Sequence, residues 1–195
     1  MNSPTLYAES KIYHAFGSSA APGTIGVRPR LFKSGALCQA IDYQYNFFSE
    51  PEWSVRTSAT CGTGSYNSHG FVAVWNASTS SFNEYVTFPS NPLNWTAPAA
   101  ARSASPQITD SHRKGGVNSS GEKFGSADTP NDKAADVDLV LAIGTNGTVG
   151  YVRADDLDRP AAANPVAAKA KSKSSRTIPL LESNGETRIG TFTVG

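Results

Sequence analysis

The chain has 195 residues, enough to bury a core of its own, and a length that makes one domain or two small ones. Its 17 basic and 16 acidic side chains leave a net charge of +1, too weak a field to draw in nucleic acid or an anionic membrane surface. A hydrophobic share of 38%, with much Gly, Ser, Ala, Thr, Asn and Pro, predicts a modest core with long turns. No apolar run approaches the roughly 18 residues of a membrane-spanning helix, so membrane insertion is not expected.

Residues 1–23 mix small residues with Tyr7, Tyr13, His14 and Phe16 and read as an irregular arm that docks back on the domain. They lack the charged start and apolar centre of a signal peptide, so the expectation is a mature exported sequence headed by an added Met1, its signal already removed.

Residues 24–96 read as a β domain. Runs of alternating polarity at Leu37 to Phe47, Ser54 to Cys61, Gly70 to Asn76 and Asn83 to Phe88 are punctuated by Gly62-Thr63-Gly64-Ser65 and by Asn76 to Ser81, which predicts a meander or sandwich. Across Ala36 to Asn46, strict alternation places Leu37, Gln39, Ile41, Tyr43 and Tyr45 on the core face and Cys38, Ala40, Asp42 and Gln44 on the other. Cys38 and Cys61 each lie in a strand run, which suits one disulfide between neighbouring strands. Closing a loop of about two dozen residues would stabilise the fold by about 3 kcal/mol in the chain-entropy picture. A disulfide argues for export; the alternative is a cytoplasmic chain with two reduced thiols.

Residues 97–135 turn polar, with Ile108, Val117 and Phe124 as the larger apolar side chains, and read as a linker or loop with too little to bury for the entropy of ordering. Residues 136–195 read as a smaller module of two β-hairpins, turning at Asn146-Gly147 and Asn184-Gly185, the dipeptide that best accepts the positive φ of a tight turn. Between the hairpins, Asn164-Pro165 followed by Val-Ala-Ala-Lys is a helix start with Asn as cap and Pro in the first turn. The acidic positions Asp128 to Asp158 and the basic stretch Arg159 to Arg176 read as two solvated faces, whose exposed pairs contribute under about 1 kcal/mol each. The fold class expected is therefore all-β, a disulfide-linked β domain plus a small hairpin module, joined by long irregular linkers.

The segment Asn146-Gly-Thr-Val-Gly150-Tyr151-Val152-Arg-Ala-Asp-Asp-Leu157 resembles the closing part of bacterial SH3-like domains, where a hairpin ends in Gly-Tyr-Val and a leucine follows. With Asn164-Pro165 and the Ile178 to Gly195 hairpin, it also resembles the C-terminal region of small secreted proteins of actinobacteria and other Gram-positive bacteria. That resemblance covers only the C-terminal module and implies an exported, non-catalytic part, of a kind that often attaches proteins to the cell wall.

Chemistry finds little purchase. His14, His69 and His112 are scattered, without His-Glu-X-X-His or other ligand spacing, so no metal site is expected. Ser68-His69 with Asp42 would need a triad geometry that no Gly-X-Ser-X-Gly elbow supports. Asp136, Asp138, Asp155, Asp156 and Asp158 offer oxygen ligands but no EF-hand loop, and Gly62-Thr-Gly-Ser65 lacks the Lys of a phosphate loop. Neither catalytic residues nor a cofactor are expected. Trp75, among Phe71, Val72 and Val74, is expected in the core, whereas Trp53 and Trp95 fall in loops. With Tyr66 and His69 they are the candidate binding residues, since flat rings stack on sugars or fill a partner's pockets. The expected function is a secreted bacterial binding or adaptor protein, without catalysis, that recognises a protein partner or a cell-surface polysaccharide, with a place in a secreted assembly. A secreted inhibitor of a protease or glycosidase, presenting Cys61 to His69 as its loop, is the second expectation, and a secreted hydrolase the third.

Overall fold

A computed structural model describes residues 5–98, 106–129, 137–170 and 175–195. Strands β1 (Glu9–Tyr13), β2 (Ile25–Lys33), β3 (Ala36–Ala40), β4 (Gln44–Tyr45), β5 (Glu52–Arg56), β6 (Gly64–Asn76), β7 (Ser81–Val86) and β8 (Leu93–Trp95) form the first part. A short helix α1 (Asp110–Lys114) and strands β9 (Gly116–Val117) and β10 (Lys123–Gly125) follow. The remainder is β11 (Leu139–Ile143), β12 (Val149–Arg153), α2 (Ala154–Leu157), α3 (Pro165–Ala170), β13 (Arg176–Leu181) and β14 (Arg188–Val194). The all-β class read from the alternation holds.

One 12-stranded sheet runs through both expected modules in the order β7-β6-β2-β3-β14-β13-β12-β11-β10-β9, with β4 added on β2 and β8 on β6. Strand β3 joins them: it pairs antiparallel with β2 and parallel with both β14 and β11, so β3, β14, β13, β12 and β11 close on themselves as a small barrel. Leu37, Val140, Val152, Ile178, Leu180, Phe192 and Val194, contributed by all of those strands, form one buried cluster with Phe32 and Leu157. Fully burying side chains of this size stabilises by about 1.5–3 kcal/mol apiece.

The strand that sequence reading missed is β2. An Arg28-Pro29-Arg30 interior argues against a central strand, because charge dislikes burial and proline has no N–H for the ladder. Yet β2 lies between β3 and β6, with Pro29 opposite Gly70. A Cβ at Gly70 would meet Ser10 Oγ, the Arg28 carbonyl and Pro29 Cα, so only glycine allows that approach. A register shift between Leu31 and Phe32 also corrects the strict alternation expected for Ala36 to Asn46. Leu37 and Ala40 enter the core together, while Gln39 turns its amide to the Ser58 and Ala59 N–H groups.

The arm and linker contain more structure than their composition suggests. Within the arm, β1 pairs antiparallel with β5. Within the expected linker, Thr109 caps α1, and β10 lies parallel to β11, where Phe124 meets Tyr151 edge-on at 5.3 Å. Phe124 and Ile108, sparse in sequence, find a ready apolar surface on the barrel. Residues 1–4, including Met1, and residues 99–105, 130–136 and 171–174 lie outside the described residues, so 99–105 and 130–135 of the expected linker and 171–174 of the basic stretch Arg159 to Arg176 are not described.

Both C-terminal hairpins form as expected, β11 with β12 and β13 with β14. Their turns differ in detail, since only Gly147 and Gly185 take positive φ, 83° and 76°. Asn146 and Asn184 instead accept from the backbone two and three residues on, through their side-chain oxygens. Asn164 caps α3 through the Ala167 N–H, as its position before Pro165 implied.

The Cys38–Cys61 disulfide is present, with Cα atoms 5.9 Å apart. Replacing both cysteines by serine is expected to lower unfolding stability by about 3 kcal/mol, measured by urea titration without reductant, and adding reductant to the native protein should reproduce the loss.

Candidate functional site

Hairpin β6–β7 ends the sheet. Its turn is held where Asn76 Oδ1 accepts from Ser78 N–H, and Ser80 adopts φ 51° to bring the chain back. In the antiparallel ladder Thr87 N–H donates to the Gly70 carbonyl, so Tyr85 and Asn83, spaced by two, also bond inward to β6. The N–H and C=O groups of Phe82, Glu84 and Val86 therefore point away from β6, and among the described residues they make no backbone hydrogen bond. Each row of such groups is a template for another strand.

Other edges are blunted. The β1–β5 pair carries cross-strand ion pairs Lys11–Glu52 and Arg56–Glu9, and β9 and β8 are only 2 and 3 residues long. Strand β8 is further bracketed by Pro92 and Pro98. By contrast, β7 has six residues, no proline and one charge, Glu84. Its surroundings are apolar and open: Tyr85 is 55% exposed, Val86 43%, Phe88 98% and Leu93 55%.

The side chains of Phe82, Glu84 and Val86 share the face of Trp75, Ala73 and Phe71 across the ladder. Phe82 packs at 5.3 Å from Trp75 and 5.2 Å from Tyr45. Glu84 is fixed by two donors, the Tyr43 hydroxyl at 2.7 Å and the Ala161 N–H at 3.3 Å. Burial raises the Tyr43 hydroxyl well above its ordinary pKa, opposed by the Arg28 charge and helped by the bond to Glu84, so the phenol stays a donor. Tyr45 is pushed up to about 12 by burial, and its hydroxyl accepts from the Ala162 N–H.

Beneath this face lies a buried charge cluster. Arg28 and Arg30, 5% and 3% exposed, both donate to Asp158, which follows α2 at the far end of the sequence. The Arg28 guanidinium sits 4.3 Å from the Phe71 ring centre and 4.8 Å from that of Tyr43, and Arg30 lies 4.7 Å from Phe71. Burial lowers Arg30 to about 10, partly restored by Asp158, so it remains charged near neutrality. A second tie between distant segments is the bidentate Arg176–Asp42 pair. The reading of Asp158 and Arg176 as solvated surface charge is corrected here: each is paired to a partner far away in sequence.

His69 and Tyr66 do not face solvent, contrary to their selection as binding residues. Alternation on β6 turns His69 onto Phe32, stacked at 4.8 Å, with Nε2 donating to the Ala127 carbonyl. Tyr66 is buried and donates to the Gly62 carbonyl while accepting from Cys61 N–H. Since Tyr66 to His69 pair with β2, no projecting loop is formed there. Trp53 and Trp95, expected in loops, lie instead in strands β5 and β8 and are half-buried, one donating to the Gln44 carbonyl and the other edge-on to Tyr66, and the structure brings these four residues to no common surface. Trp75, expected in the core, is also half-buried. Ser68 and His69 point to opposite faces, and Asp42 is held by Arg176, so no triad assembles. Among the described residues no cluster of three or more His, Cys, Asp or Glu is placed to hold a metal ion; Asp136 lies outside them.

Burial lowers the His69 pKa from 6.5 to about 4, with the bond to Ala127 opposing. The neutral ring is thus the folded form, and the stability it confers is complete above about pH 6.5 and lost as pH falls towards 4. We expect unfolding stability to fall by about 3 kcal/mol across that window, and a His69→Gln variant to show a flatter profile in denaturant titrations at stepped pH.

No protein family, curated protein or solved structure matches the chain. Sequence reading placed a strand at Asn83 to Phe88, which overlaps β7 at Ser81–Val86, and did not single out Phe82, Glu84 and Val86. The signal available was a short run with a single charge and no proline; that its outer side is uncovered among the described residues is visible only in the sheet order.

Proposed function

We propose that the protein is an exported, non-catalytic binding or adaptor protein that takes an extended segment of a partner protein onto the free edge of β7. The observation that carries this reading is the outward row of backbone groups at Phe82, Glu84 and Val86, unblunted by proline and flanked by exposed Tyr85 and Phe88. Main-chain hydrogen bonds supply affinity in such strand addition, and alternate side chains supply selectivity. The barrel, which includes the Gly150-Tyr151-Val152 hairpin, acts as the rigid support. The disulfide fits an oxidising compartment, and no helix of the described residues is long and apolar enough to cross a membrane. A protein partner is favoured over a surface polymer because Trp53 and Trp95, the rings that would stack on sugars, already pack against Gln44 and Tyr66.

The test is affinity capture from culture fluid with the oxidised protein as bait and Val86→Pro as the matched control. A stoichiometric protein held by the parent and lost with Val86→Pro supports the reading. Equal retention on both baits, or retention of isolated cell walls alone, contradicts it.

A further inference from the structure

We infer that the strand accepted by β7 carries a basic residue opposite Glu84, with apolar residues two positions to either side on the same face. This rests on the proposed strand addition and adds the chemistry of the partner segment. An added strand places every second side chain beside the row Phe82, Glu84, Val86, with directly opposed Cβ atoms about 5 Å apart. Two of those three neighbours are apolar: Phe82, backed by Trp75 and Tyr45, and Val86, across from Phe71. The middle one is a carboxylate, and it is the only charged side chain between Ser81 and Pro98.

That carboxylate is held in place. The Tyr43 hydroxyl and Ala161 N–H fix both oxygens of Glu84, so its charge stays at the edge rather than swinging into solvent. The nearby Arg28 is already engaged by Asp158 and is buried, which leaves the cation opposite Glu84 to come from the partner. A carboxylate or a bulky acidic residue at the same point of the incoming strand would meet like charge directly across the ladder. The complementary pattern is apolar, any, Lys or Arg, any, apolar. The opposite face of β7, with Ser81, Asn83 and Tyr85, makes no such demand and accepts Thr or Ser. A second copy of this chain fits less well, since the symmetric pairing centred on Glu84 sets two carboxylates against each other.

Two synthetic peptides decide it, Thr-Val-Thr-Lys-Thr-Val-Thr and the same sequence with Glu at the centre, titrated by fluorescence anisotropy against the parent, Glu84→Gln and Glu84→Lys proteins. The Lys peptide should bind the parent about tenfold tighter than the Glu peptide, the preference shrinking at high salt. It should vanish with Glu84→Gln, which keeps the side chain's acceptor, and reverse with Glu84→Lys. Equal binding of both peptides, lost for both with Val86→Pro, would leave strand addition standing and overturn the basic-residue inference. Binding of neither peptide would overturn both. A parent that sediments as a dimer, and as a monomer after Val86→Pro, would assign the edge to a second copy and overturn the inference as well.

Discussion

Replacing Asp158 by alanine is expected to cost about 3 kcal/mol of unfolding stability, one of the two largest effects of a single substitution that the structure implies. Arg28 and Arg30 are nearly inaccessible, and both direct a guanidinium N–H to the same Asp158 carboxylate. Removing the carboxylate leaves two like charges together in a site walled by Phe71 and Tyr43, where desolvation is unrelieved and mutual repulsion is unscreened. The buried Nε atoms of both arginines already lack a partner among the described residues, so no alternative protein acceptor stands ready. Asp158 itself is partly open to water, which places the loss at the lower end of the range for breaking a buried pair. Urea titration should show a lower midpoint with an unchanged slope. A triple variant with Arg28→Met and Arg30→Met added should recover most of the loss, because the apolar replacement removes the stranded charges. A loss below about 1 kcal/mol for Asp158→Ala would show that the cluster is solvated in solution.

Proline at Val86 is expected to weaken partner binding by about thirtyfold, on the order of 2 kcal/mol, while altering stability by less than about 1 kcal/mol. The asymmetry follows from the ladder: the Val86 N–H faces away from β6, so its removal breaks no bond within the fold, while the ring blocks an incoming strand. Proline restricts the preceding residue to extended conformations, which Tyr85 in β7 already has. Tyr85→Pro is the contrasting variant. Its N–H bonds inward, so this change should cost about 3 kcal/mol of stability, seen in the same titration. Equal stability losses for the two prolines would mean that the assignment of inward and outward groups on β7 is wrong.

The legible parts of this chain are those whose causes are local. Alternating polarity marks the β6–β7 hairpin, Asn-Gly pairs mark the two C-terminal turns, and Asn164 before Pro165 marks α3. The cysteine pairing is also legible, but not its setting: β5 ends at Arg56 and pairs with β1, so Cys61 reaches Cys38 of β3 from a loop rather than from a neighbouring strand. The illegible parts depend on residues far away. Strand β2 looks impossible until Asp158, 130 positions from Arg28, is brought beside its arginines. Strand β10 looks like linker until the barrel offers Phe124 a surface. His69 and Tyr66 resemble binding residues in a glycine-rich loop, yet a thirteen-residue β6 carries them inward. The candidate edge shows the same division. Its strand is local, but its freedom is a property of sheet order, which places β7 last, with nothing beyond it among the described residues.

Residue-resolved amide hydrogen exchange on β7, with and without bound partner or peptide, tests the central claim most directly. In the free protein the Phe82, Glu84 and Val86 amides should exchange quickly and those of Asn83 and Tyr85 slowly; on binding, the first three should become protected while the other two change little. Outward amides that stay fast in a saturated complex would contradict strand addition at β7 and place the partner elsewhere on the molecule.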